Sequence, residues 1–342
     1  MFTASDSDVM PGSLPGREIY ELRAMGILTL DFHQCFWRRR RHNFDNQIHN
    51  IMAPRSIEIV LRPGTPHFVG DGFRVHTFIP GSATTTMRRM DPFIMLDYNE
   101  RFYFSPTETP RGVSVHPHRG FETVTIAYKG KVAHHDSSGG GGVIGEGDVQ
   151  WMTAASGVLH KEYHEKEFSR EGGDFQMVQL WVNLPARDKM STPKYQGITN
   201  AQMPKVELPD GAGWVELIAG MYQDQRGPAT TFSPVNLMNA RLKAGGRAAF
   251  SFPAHYNTAM VIVEGSVKVQ NHEVAQDHFV LLRNDGDSYE LEAVGDATVL
   301  VMSGEPLNEP IAAQGPFVMN TREELVQAME DFYAGKFGVL ED

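Results

Sequence analysis

Residues 116–124 read His-Pro-His-Arg-Gly-Phe-Glu-Thr-Val, and residues 160–162 read His-Lys-Glu. Where such stretches are extended, the first and third side chains leave the same face, so each supplies a converging pair. The histidines are gathered here: six of the 14, at 116, 118, 134, 135, 160 and 164, fall within 49 residues. Two such pairs on opposed walls of one β-barrel would offer three imidazoles and one carboxylate, from His116, His118, His160 and Glu162. That donor set suits iron, copper, nickel or zinc, and not calcium or magnesium, which take all-oxygen shells. Four protein ligands around an octahedral ion leave adjacent positions free for substrate, oxygen or water. A closed structural zinc site would call for cysteines, and this region has none.

Neighbouring groups compete for parts of this reading. Glu122 shares strand parity with His116 and His118 and is an alternative ligand. His134 and His135 flank a turn and are read as supporting or surface groups rather than ligands. His164 is left open. The glycines at 139–142 do not make a phosphate loop, because no Lys-Ser or Lys-Thr follows and no helical pattern opens behind them. They are read as a turn between strands. No Ser/His/Asp or Cys/His arrangement is legible.

Working outward, the chain from Ser56 reads as β-structure. Ile57–Leu61, Thr123–Tyr128, Gln176–Val182, Ala259–Val263 and Thr298–Met302 are short, rich in branched and aromatic residues, and bounded by turn formers. Many short strands with frequent turns indicate barrels or sandwiches. Leu184 to Pro209 is richer in Pro, Lys, Gln and Asn and is read as a linker. After it, Val263-Glu-Gly-Ser-Val-Lys-Val269 repeats the pattern of Tyr128-Lys-Gly-Lys-Val-Ala133, which suggests two copies of one β fold. The expected division is an extension at 1–55, a first, metal-binding domain at 56–205, and a second at 206–342. A capping box of Thr321 and Glu324, with Gly335 as a stop, predicts a helix of about three turns at the end of the second domain.

Composition narrows the function classes. The 342 residues are 41% hydrophobic and 21% charged, with a net charge of −11, which repels a phosphate backbone and argues against direct nucleic-acid binding. The single Cys35 forms no intrachain disulfide, and no apolar run is long enough for a membrane helix. A cytoplasmic protein is expected, or a nuclear one in a eukaryote. Arg38 to Arg41 is read as solvated surface.

These motifs carry a resemblance. His116 to Val124, with Gln150-Trp-Met-Thr-Ala154, Gly157-Val-Leu-His-Lys-Glu162, Gln179-Leu-Trp-Val-Asn-Leu184, Gly304-Glu-Pro-Leu-Asn-Glu-Pro310 and Gly315-Pro-Phe-Val-Met-Asn-Thr321, resembles the pirin family of bicupins across about residues 56–340. The resemblance implies an all-β bicupin: two jelly-roll barrels packed face to face, with one metal in the first. It assigns the ligands to His116, His118, His160 and Glu162, and the position many other cupins use for their glutamate to Glu122. The implied ion is divalent, iron(II) first, with copper, nickel, manganese, cobalt or zinc as alternatives. His255 stands alone in the second barrel, which is expected to hold no metal. The implied activity is a quercetin 2,3-dioxygenase type of ring opening on a flavonol-like substrate, with Glu162 as the catalytic proton acceptor. The alternative is an iron-binding, redox-sensitive protein that regulates a transcription factor or enzyme by protein–protein contact.

Overall fold

The computed structural model describes residues 53–341. Cys35, Arg38–Arg41 and most of the expected N-terminal extension lie outside the described residues. The rest forms two jelly-roll barrels with the same plan, each pairing a seven-stranded sheet with a four-stranded one. The sequence repeat marks an equivalent turn in both: Gly130 and Gly265 sit at φ 79° and 74°, where a side chain would be strained, just after the strands Phe121–Lys129 and Asn257–Glu264.

The central strands of the first barrel are apolar on one face and mixed on the other. Leu96, Tyr98, Val124, Ile126, Trp151, Val178 and Leu180 turn outward and meet Leu237, Val261, Phe279, Leu281, Leu300 and Met302 of the second barrel in one buried core. Burial of these facing sheets is the main force holding the barrels together. Two buried hydroxyls cross the same interface: Tyr98 donates to Asp277 Oδ1 at 2.6 Å and Tyr128 to Asn239 Oδ1 at 2.8 Å.

The interiors of the two barrels differ. The second is filled by apolar side chains, among them Met238, Met260, Ile262, Phe250, Leu291 and Val301. His255 is exposed, 3.5 Å from Glu305. The first retains a cavity between its two sheets, described below.

The expected domain boundaries need correction at both ends. Ile57–Leu61 pairs with Phe279–Leu282 and is an edge strand of the second barrel, not the first. Arg55 is fully buried there, its guanidinium donating to the carbonyls of Pro253 at 2.6 Å and Tyr256 at 2.8 Å. Conversely, the C-terminal arm packs on the first barrel. It runs from Ala312–Gln314 and Phe317–Met319 into the capped helix Arg322–Tyr333. Phe317, Leu325 and Phe337 cover Leu159, and Arg119 reaches Asp331 at 2.8 Å. The linker is also structured. Lys194–Ile198 pairs with Val149–Thr153 of the first barrel, and Lys205–Glu207 with Gly213–Ala219 of the second. Local composition does not report which sheet completes a strand's hydrogen bonds, so these exchanges were invisible to a segment-by-segment reading.

Candidate metal centre

His116 and His118 end the strand Gly112–His118; His160 and Glu162 lie on Val158–His164. These strands are antiparallel neighbours in one four-stranded sheet, with His160 directly opposite His116. The two pairs therefore share a wall instead of facing each other across the barrel. The next strand, Val132–Asp136, sets His134 opposite Glu162 and Asp136 opposite His160.

The rings cluster closely. His160 lies 4.2 Å from His116 and 4.5 Å from His118, centroid to centroid, and those two are 4.8 Å apart. Two overlapping triads have donor atoms within 4.8 Å of one another: His116, His118 and His160, and His134, His160 and Glu162. His160 is the shared member, and Glu162 lines the same cavity as His116 and His118.

The hydrogen bonds prepare this cluster for a cation. His116 Nδ1 lies 2.8 Å from the Ser114 carbonyl and His118 Nδ1 3.4 Å from that of Pro316, so each nitrogen carries the proton and each Nε2 keeps a lone pair. His160 Nε2 is buried without a hydrogen-bond partner. Burial, followed by neighbouring imidazoles, drives the His118 and His160 rings well below the usual histidine pKa, which keeps them neutral. A neutral imidazole with an unpartnered buried nitrogen is a ligand in waiting, so the residues fit a divalent transition metal.

His134 is more involved than the sequence suggested. It is fully buried, with Nδ1 3.4 Å from His160 Nδ1 and accepting from Gln150 Nε2 at 2.9 Å. Its Nε2 lies 3.6 Å from Asp136 Oδ2, and its ring stacks on Tyr195. Asp136 Oδ1 accepts from Ser138 and Gly140; burial raises the carboxyl pKa, but hydrogen bonding with His134 and these bonds outweigh it and lower the value to about 2. Asp136, His134 and His160 thus stand in series behind the candidate ligands.

The remaining candidates fall away from the site. Glu122 shares parity with Val124, not with the histidines, because Arg119-Gly120 breaks the alternation. Gly120 has φ 91°, and a Cβ there would overlap the Val318 carbonyl. The Glu122 carboxyl accepts from Thr153 at 2.7 Å, and burial pushes its pKa up to about 7. His164 is packed among Phe73, Phe104, Phe168 and Phe175 and donates to the Gly72 carbonyl at 2.8 Å. His135 is exposed.

The inner face of the seven-stranded sheet forms the cavity floor, which the sequence reading missed. Asp97, Gln179, Thr125 and Gln150 are successive cross-strand partners, making a polar row over four strands. Thr125 Oγ1 lies 2.6 Å from Gln179 Oε1 and 3.2 Å from Glu162 Oε1, and Gln150 Nε2 donates to Glu162 Oε1 at 3.3 Å. Their signal was a polar residue set between apolar neighbours in each of these strands. The cavity, about 480 Å³ including its mouth, is walled by Phe73, Val75, Met95, Met177 and Trp181.

Fold and site together define a bicupin with a histidine-rich centre in its first barrel. Comparison with known proteins makes the class specific. Residues 72–182 match the family described as Pirin, and residues 237–338 the Pirin C-terminal cupin domain. The chain is 51% identical to a Pseudomonas aeruginosa protein named "Putative quercetin 2,3-dioxygenase PA2418", over 79% of this chain and 94% of that one. It is 38% identical to a pirin-like protein of Caulobacter vibrioides, over 80% and 96%. The crystal structure of a quercetin 2,3-dioxygenase from Acinetobacter baumannii superposes with a TM-score of 0.79 at 45% identity, covering 84% of this chain and all of that one. The chain belongs to the pirin family.

Proposed function

We propose that the protein is a metal-dependent dioxygenase that opens the heterocycle of a flavonol-like substrate at a centre built from His116, His118, His160 and Glu162. The observation that carries this reading is the pair of triads joined at His160, opening onto an apolar-walled cavity. Names of similar proteins point to the same reaction class. A bound divalent transition metal, iron(II) in our reading, supplies Lewis acidity and redox chemistry with dioxygen.

The chain's own residues supply the rest. Glu162 Oε1 is held by Gln150, while among the described residues Oε2 accepts no hydrogen bond. It faces the cavity as a base for the substrate hydroxyl proton. Met95, Met177 and Trp181 hold the flat ring system and keep water from it. The sum reaction is flavonol plus dioxygen giving a ring-opened ester and carbon monoxide.

The test is aerobic incubation of metal-loaded protein with quercetin. Oxygen uptake matched by carbon monoxide release is expected, with kcat lowered at least 100-fold in Glu162→Gln. Absence of turnover with iron, copper, nickel, manganese and cobalt alike would end the proposal.

A further inference from the structure

We infer that Asp97 and Gln179 form a second anchoring point in the cavity, and that the substrate carries a phenolic hydroxyl at the end remote from the metal ligands. The inference rests on the ring-opening reading above and specifies which flavonols the site takes.

Asp97 lies on the strand Phe93–Phe104, opposite Gln179 on one side and Thr77 on the other. Thr77 Oγ1 donates to Asp97 Oδ1 at 2.5 Å. Among the described residues nothing donates to Oδ2, and no lysine or arginine pairs with this carboxylate. Burial raises the Asp97 pKa, which reflects how poorly the surroundings solvate the charge. Yet the side chain lines the same cavity as His116, His118 and Glu162. A carboxylate oxygen left without a donor in a mostly apolar cavity is costly, and a ligand donor would relieve it.

Gln179 completes the anchor. Its Oε1 accepts the Thr125 hydroxyl at 2.6 Å, so its amide N–H groups remain for the cavity, and among the described residues they have no acceptor. An open acceptor and an open donor therefore sit side by side on paired strands. Adjacent ring hydroxyls match them: one donates to Asp97 while its neighbour accepts from Gln179. An amine would satisfy the carboxylate but leave the Gln179 N–H groups idle.

The spacing fits the same class. Thr125, beside Glu162, is two strands from Asp97 in the cross-strand row. At the usual strand separation that is about 10 Å, comparable to the reach from the chelating end of a flavonol to its pendant ring. Met95 and Trp181, two residues along the same paired strands, line the cavity beside this row.

The experiment is anaerobic calorimetric titration of the iron(II)-loaded protein with quercetin, whose pendant ring carries two hydroxyls, and with galangin, whose ring carries none. The wild type is expected to bind quercetin about tenfold tighter, the value of one hydrogen bond to a charged group. In Asp97→Asn that preference is expected to shrink toward unity, with galangin affinity and metal content unchanged. Equal binding of both flavonols by the wild type, or equal loss of both in the variant, overturns the inference and leaves the reaction class standing. Failure of both to bind the wild type overturns the flavonol reading, and this inference falls with it.

Discussion

His134 touches His160, Gln150 and Asp136 at once, and its position one strand away from the ligands makes it a lever on them. Replacing it with leucine leaves the Gln150 amide, His160 Nδ1 and the Asp136 carboxylate facing an apolar side chain. Each abandoned buried polar group costs about 1–3 kcal/mol. We therefore expect His134→Leu to lower the melting temperature and to weaken metal binding about 10–100-fold, as loss of a ligand-supporting group does elsewhere. Chelator competition measures the second effect; an unchanged affinity would show that His134 does not steady the site. His116→Ala has a different signature. His116 sits at the cavity edge, partly exposed, so its loss should empty the centre of metal while leaving the melting curve of the metal-free protein within about 1 kcal/mol of the wild type.

At the scale of elements, the C-terminal arm is the part most open to test. Asp331 receives Lys336 at 2.7 Å and the buried Arg119 at 2.8 Å, and Gln327 also donates to it. Those partners, Lys336 foremost, lower its pKa to about 2. The folded value lies below the unfolded one, so this stabilisation is complete above about pH 4 and is lost as the pH falls toward 2. Asp331→Asn should release the arm at neutral pH at a cost of roughly 2–3 kcal/mol, much of it from stranding Arg119. Limited proteolysis between residues 312 and 341 reads this directly; an arm as resistant as the wild type would refute it.

The arm also marks what a sequence can and cannot reveal. Its helix was legible because capping is local: Thr321 accepts from the Glu324 N–H and the Glu324 carboxylate accepts from the Thr321 N–H. Strands such as Thr123–Tyr128 were legible for the same reason. That the arm closes the first barrel was not, because Arg119 and Asp331 are 212 positions apart. The four proposed ligands could be picked out by their spacing. Their common wall could not, since period-two alternation fixes a face but names no neighbouring strand. Asp97 and Gln179 were missed because one polar side chain per strand resembles ordinary surface alternation until both faces of the strand are seen to be covered.

For the whole molecule, the facing sheets give the two barrels one shared buried core, and we expect them to unfold together. Leu180 is fully buried in that shared core. Leu180→Ala should cost about 2–5 kcal/mol and lower a single calorimetric transition instead of splitting it. Two separate transitions would show that the barrels unfold independently.

The exchanged termini carry a consequence for biogenesis. Arg55 waits for the carbonyls of residues 253 and 256, and His118 for that of Pro316. Ribosomes deliver these partners some two hundred residues after the groups that need them. The first barrel cannot finish closing while its own stretch is being translated, because the arm that covers it is made last, whereas the second barrel finds its edge strand already synthesised. A truncated transcript ending before residue 312 would yield a polypeptide with every proposed ligand present and one of them unsteadied.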